Sequence, residues 1–279
     1  MSGFDGTILV TGATGGFGGY AIASLERLVG KGHVIGLARS EEKAGKLADR
    51  GIAVRIGDYD DPESLRRAFD GVDRLLFVSG APGDRETEHG NVVRAARDAG
   101  IGFIAYTSFP QATSVSNMLS ADHVFTEGLL AESGITHAFL RNNWYLENEL
   151  ALIGIARSTG ELPFAAGQAT IGWALKREYA EAAARVVSAD DPRNETLELS
   201  GPLRSYADLA AAVSRVTGKP VTPRPVTAEG FATALKAAGL PDGAVKGLTG
   251  VQTLVAAGDL EVASTDFVRT LGHPLLPLD

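Results

Sequence analysis

The 279-residue chain contains no cysteine. That absence removes thiol catalysis, thiolate zinc sites and a disulfide framework together. Histidine is scarce, with five residues and no pair at i,i+4 spacing, which argues against a dedicated metal site. No Gly-Lys pair is followed by Ser or Thr and no Gly-x-Ser-x-Gly occurs, so neither a phosphate-binding Walker A loop nor a serine nucleophile elbow is expected. No stretch approaches the roughly 18 uninterrupted apolar residues of a membrane span. The polar, acidic start has no basic-then-apolar leader, so cytoplasmic residence is the expectation. Basic residues are outnumbered, 26 against 34 acidic, giving a net charge of -8. A general nucleic-acid or anionic-membrane binder is thereby disfavoured, although a local basic pocket stays open. What the chain has in excess is glycine, at 34 residues against a usual share of about 7%.

Up to about residue 142, short apolar runs alternate with amphipathic helical stretches. Strands are read at 8–10, 34–38, 53–56, 74–78, 103–107 and 137–140, and helices at 18–29, 41–49, 63–69, 88–99 and 122–132. Asp61 is a helix cap with Pro62 at the first helical position, and Gly30, Gly51, Gly71, Gly100 and Gly134 mark helix ends. Several strands are almost wholly apolar, as when helices cover both faces. The fold class is therefore α/β, a Rossmann-type doubly wound parallel sheet with strand order 3-2-1-4-5-6. After residue 142 strand character thins, with helices at 150–158, 178–188, 206–216 and 228–238, a short strand at 196–199 and a glycine-dotted tail. The expected division is a nucleotide-binding domain at 1–148 and a smaller, mainly helical, substrate-covering part at 149–279, packed on the first.

The excess glycine is concentrated where the fold uses it. Gly12, Gly15 and Gly18 form Gly-x-x-Gly-x-x-Gly directly after the first strand, with Thr14, Gly16 and Phe17 between them. Missing side chains there let backbone N–H groups approach a pyrophosphate at a helix N-terminus. At the end of the second strand, where an NAD site places a carboxylate, stands Arg39, with Lys43 one helical turn on. A guanidinium and an ammonium pair with a 2′-phosphate, so NADP(H) is favoured. Asp58 and Tyr59 after the third strand flank the adenine, or Asp58 is a turn residue. Ser79 and Gly80 after the fourth strand, with Thr107, Ser108 and Phe109 after the fifth, line the crevice at the strand ends.

With these residues the chain resembles the short-chain dehydrogenase/reductase superfamily, but the tyrosine with a lysine four positions on is absent. The six tyrosines are followed at that spacing by Ser24, Glu63, Pro110, Glu149, Ala183 and Ala210. Instead there are Ala121-Asp122-His123-Val124-Phe125-Thr126-Glu127 and Leu140-Arg141-Asn142-Asn143-Trp144-Tyr145-Leu146-Glu147-Asn148. These resemble the atypical NmrA-like group, above all its NADPH-dependent quinone oxidoreductase type 2 members, with triphenylmethane reductases nearby. The resemblance covers nearly the whole chain and implies NADPH binding and two-electron reduction of quinones. Such relatives often carry a lysine directly after His-x-x-Thr-Glu. Here that residue is Gly128, and no lysine lies between Lys46 and Lys176.

A quinone accepts hydride to give a hydroquinone anion of phenol-like pKa, ~10, so a strong positioned acid is dispensable. Proximity and orientation carry such a reaction. His123 is the candidate catalytic residue, as proton donor or substrate hydrogen-bonder, or else a helix-surface histidine. Asn143, Trp144 and Tyr145 either orient a small planar quinone-like substrate or pack the second part onto the sheet. His89 begins a helix over the crevice, whereas His33, His137 and His273 read as structural. A non-catalytic NADP(H) sensor is the alternative function, and another planar electrophile the alternative substrate. The expected state is a monomer or homodimer with no metal.

Overall fold

The computed structural model describes residues 4–80 and 84–279. Its first half alternates as the apolar runs dictate: β1 (Ile8–Val10), α1 (Gly16–Leu28), β2 (Val34–Ala38), α2 (Glu41–Ala48), β3 (Ala53–Ile56) and α3 (Pro62–Phe69). Then follow β4 (Arg74–Phe77), α4 (Arg85–Asp98), β5 (Phe103–Ser108), α5 (Ser120–Glu132) and β6 (Thr136–Asn142). Local chemistry sets the boundaries. The Asp61 carboxylate accepts from the Glu63 and Ser64 backbone N–H groups at the start of α3, with Pro62 in the first turn. Ser40 caps α2 and Asp84 caps α4 in the same way.

All strands of the main sheet are parallel, in the order β3-β2-β1-β4-β5-β6, and a later strand extends it by one. One face packs Leu9, Leu75, Phe77, Ile104 and Tyr106 against Leu65, Phe69, Val92, Ala96 and Leu130 of the helices α3, α4 and α5. The alternate strand residues Ile8, Val10, Leu76 and Ala105 are fully buried on the opposite face.

The rest of the chain comprises α6 (Leu150–Thr159), β7 (Glu161–Phe164), α7 (Lys176–Val187), β8 (Glu195–Leu199), α8 (Tyr206–Thr217), β9 (Thr222–Pro225), α9 (Ala228–Ala237), α10 (Asp242–Ala256) and α11 (Asp266–Leu271). Of these, β8 pairs with β6 as the seventh strand of the sheet, while α7 packs on α1, β4 and β5 and α11 packs on α7. The Tyr179 and Phe267 rings, 4.5 Å between centroids, join the last two helices. The compact units therefore differ from a single division at 148. The first comprises the chain to Asn142, Lys176–Leu199 and Asp266–His273, and the second comprises Asn143–Leu175, Ser200–Thr265 and Pro274–Asp279. Helix 178–188 and strand 196–199, assigned from the sequence to the second part, complete the first.

The second unit is mainly helical, with one two-stranded parallel sheet of β7 and β9. Its α8 carries a reciprocal capping box between Ser205 and Asp208. The glycine-dotted tail holds α10, fifteen residues long. Gly243, Gly247 and Gly250 dilute its helix propensity, and burial of Val245, Gln252 and Val255 overrides that dilution.

Candidate functional site

The loop after β1 is built for close approach by a ligand. Thr11 accepts the Val78 N–H on its hydroxyl at 2.8 Å, tying the loop to the end of β4. Gly12 turns the chain at φ 59°, a left-handed conformation that favours glycine, and its carbonyl accepts the Gly15 N–H at 2.9 Å. A Cβ on residue 18 would collide with that carbonyl oxygen, so α1 and the loop pack at a distance only glycine permits. Thr14, Gly15 and Gly16 are exposed, and Gly15 caps α1 without any side-chain hydrogen bond. The N–H groups of the first turn thus face solvent with no side-chain cap, which fits a pyrophosphate. Phe17 is buried through its ring, leaving its backbone to the loop.

Arg39 directly follows β2 and is exposed, as is Lys43 in the first turn of α2. Neither forms an ion pair among the described residues. Around Arg39 the field is mixed. The Glu88 carboxyl is pushed up by burial and by Asp60, Asp58 and Asp84, while Arg39 pulls it down. Asp58 accepts the Asp60 N–H at 3.3 Å, the turn role left open above. Tyr59 is committed internally, donating from its hydroxyl to the Val78 carbonyl at 3.0 Å and placing its ring edge-on to Phe77 and His89.

At the strand ends the predicted residues brace one another. The Thr107 hydroxyl accepts the Ser79 N–H at 2.9 Å and donates to the Ser79 hydroxyl at 3.2 Å. Gly80 donates its N–H to His89 Nε2 at 3.4 Å and receives Arg85 Nη2 on its carbonyl at 2.7 Å. With Nε2 accepting, His89 carries its proton on Nδ1 and donates to Thr126, whose own hydroxyl donates to the Asp122 carbonyl. Burial, reinforced by Arg85, lowers the His89 pKa to about 4.

His123 is buried, not on the helix surface. Its Nδ1 meets the hydroxyl of the buried Tyr106 at 2.8 Å and its ring stacks on Phe109 at 6.2 Å. Burial first, then the charges of Arg85 and His89, lower its pKa to about 3. At neutral pH it is an uncharged imidazole, so an imidazolium proton donor is not what the structure offers.

A buried charge cluster lies beside these residues. Arg141 grips Glu127 through both oxygens, at 3.0 and 2.7 Å, and reaches Glu198 at 3.1 Å. Ser108 donates to Glu127 at 2.6 Å. Glu198 accepts the Gln111 N–H on both oxygens, at 3.2 and 3.1 Å, and Gln111 is the one non-glycine residue at positive φ, 50°, among those described. The cluster therefore holds the turn after β5 in a conformation its sequence does not favour.

In the second unit, Asn143 has its amide fully engaged. It donates to the Ser200 hydroxyl and the Leu260 carbonyl, both at 3.0 Å, and accepts the Trp144 N–H at 2.8 Å. Trp144 and Tyr145 are half-buried. Nearby, the buried Glu149 accepts from Trp173 Nε1 and the Tyr206 hydroxyl, both at 3.3 Å, and from Trp144. Burial outweighs these donors and raises its pKa to about 7. A cavity of about 730 Å³ elsewhere in this unit is walled by Leu146, Ile153, Leu209, Val213, Val216 and Leu278, with none of the predicted site residues.

The NmrA-like family matches residues 5–263. The chain belongs to the NmrA-like family. It is similar to quinone oxidoreductase 2 of Escherichia coli strain K12, 40% identical over 273 residues that cover 97% of this chain and 96% of that protein. The crystal structure of the E. coli NADPH-dependent quinone oxidoreductase complexed with NADPH superposes with a TM-score of 0.92 at 39% identity, covering 98% of this chain and 97% of that one. Citrobacter sp. triphenylmethane reductase complexed with NADP(H) gives a TM-score of 0.92 at 35% identity, with the same coverage of each chain.

Gly128 is exposed on α5, and a Cβ there would meet nothing within 4 Å. Asp122 and Glu127, five residues apart on α5, point in different directions: Asp122 pairs with Arg85 at 3.5 Å and Glu127 with Arg141. Arg141 carried a signal, a charge following the apolar Phe139-Leu140 pair in a buried strand. Glu149 carried none beyond its place among aromatic residues.

Proposed function

We propose that the protein is an NADPH-dependent quinone oxidoreductase that reduces a small planar quinone-like acceptor by direct two-electron hydride transfer. The observation that carries the proposal is 40% identity to a quinone oxidoreductase over 97% of the chain, with the glycine cradle and its exposed cations in place. When bound, NADPH supplies the hydride. The chain's part is to bind and orient. Gly12, Thr14, Gly15, Gly16, Phe17 and Gly18 hold the pyrophosphate, and Arg39 with Lys43 selects the 2′-phosphate. Asp58 and Tyr59 border the adenine. Ser79, Gly80, Thr107, Ser108 and Phe109 bound the nicotinamide as a rigid, internally hydrogen-bonded wall. Trp144 and Tyr145 offer flat faces to the acceptor, while Asn143 acts indirectly, by fixing the backbone at Trp144.

Neutral His123 suits this chemistry. A hydroquinone anion takes its proton from water or from a neutral hydrogen-bond donor, because its pKa is phenol-like, ~10. His123 acts as a hydrogen-bonder, not as a charged acid. Cytoplasmic residence and a monomer or homodimer complete the proposal; among the described residues no helix is long and apolar enough to cross a membrane.

The test is NADPH oxidation with a panel of benzoquinones, naphthoquinones and triphenylmethane dyes across pH 5 to 8. Turnover with a quinone, and a kcat/KM profile lacking a histidine inflection, are expected. Tight NADPH binding with no turnover on any acceptor would instead assign a non-catalytic NADP(H) sensor. An inflection near 6.5 that His123→Gln abolishes would return His123 to acid catalysis.

A further inference from the structure

We propose that Lys176, the first residue of α7, is a ligand of the cofactor's pyrophosphate; this rests on the glycine loop binding NADPH. The two elements concerned come from distant parts of the chain, yet both belong to the first unit. Lys176 Cδ lies 3.7 Å from where a Cβ on Gly16 would stand. Gly16 is the first residue of α1, so the lysine stem runs beside the uncapped helix N-terminus, and its ammonium lies two bonds further on.

The sequence of α7 gives a second, independent reason. Its first two residues are Lys176 and Arg177. Cations at a helix N-terminus oppose the helix dipole, and the buried Glu178 of the same turn offsets part of that opposition. The opposition is doubled because α7 packs along α1 with the two starts side by side, bringing two positive dipole ends and an ammonium together. A dianionic pyrophosphate at that point relieves all three. Among the other candidate cations, Arg39 and Lys43 stand at β2 and α2, where they serve the 2′-phosphate. Gly128 on α5 faces open space and carries no charge. No lysine precedes Lys176 after Lys46, so α7 is where the chain next presents one.

The test measures equilibrium binding of NADPH, NADH and 2′-AMP, the last having the 2′-phosphate but no pyrophosphate. Lys176→Met keeps the stem and removes the charge. It is expected to weaken NADPH and NADH alike by tenfold or more, to leave 2′-AMP unchanged and to flatten the salt dependence of NADPH binding. Lys176→Arg should restore most of the loss. Arg39→Asp should do the converse, weakening NADPH and 2′-AMP and sparing NADH. Wild-type NADPH affinity in a folded Lys176→Met protein would overturn the inference, as would an equal loss for 2′-AMP. Should the methionine variant not fold, Lys176→Gln in the same measurements decides by the same outcomes. Wild-type protein that binds neither dinucleotide would sink the reading of the loop itself, a result separate from these.

Discussion

Glu149 shows how far one residue's surroundings move its chemistry. A carboxyl normally ionises near 4.3, but burial holds this one to about 7 despite three donors. The folded state therefore binds a proton that the unfolded state releases, and stability falls as pH rises from about 4.5 through 7. A shift of this size corresponds to roughly 3 kcal/mol between the two ends of that range. Glu149→Gln, which cannot ionise, should lose little stability at pH 5 and gain relative to wild type at pH 8.5. Urea unfolding at both pH values checks this, and a variant-to-wild-type difference that does not change with pH would refute the buried titration. Burial acts on His123 with the opposite sign, because it disfavours the charged form of either group. Neither effect is readable in one dimension, since each depends on what packs around the group.

Among the elements, those with local signals were legible. The glycine loop, Ser40 and Asp61 as caps and the apolar strands appear where periodicity and turn chemistry put them. Elements defined by distant partners were not. Strand β9 contains two prolines, tolerable in a two-stranded sheet, and α10 is held by burial against its glycines. The turn after β5 depends on Glu198, 87 residues beyond Gln111. Arg141 is the hub of that arrangement, with its side chain 11% exposed and that of Glu127 5%. Removing the cation strands the buried Glu127 and half-buried Glu198 carboxylates, so Arg141→Met is expected to cost about 3–5 kcal/mol. The double variant with Glu127→Gln should recover part of that loss. Chemical denaturation checks both, and a single-variant cost below ~1 kcal/mol would show the cluster to be solvated.

For the whole molecule, composition and alternation sufficed for the fold class and the first six strands in order, but not for the division. A cut at 148 would have followed the alternation, whereas the first unit takes α7, β8 and α11 from the later chain. A fragment of residues 1–148 should therefore lack a cooperative thermal transition and aggregate. Its β6 edge would be unpaired, and β4 and β5 would lose the cover of α7. A soluble, cooperatively melting fragment would contradict this.

The re-entry of the chain into its first unit also sets a timetable for synthesis. Ribosomes add roughly 5–20 residues per second, and an N-terminal domain ordinarily folds while the next is being made. Here β6 ends at Asn142, its neighbour β8 ends at Leu199, and α11, which packs on α7, ends at Leu271. The nascent chain consequently carries an open parallel-sheet edge for several seconds, the interval in which a chaperone is most useful. The glycine cradle exists early, but the helix start beside it arrives with Lys176. Capture of the dinucleotide by the growing chain is thus timed late, when the sheet is nearly closed.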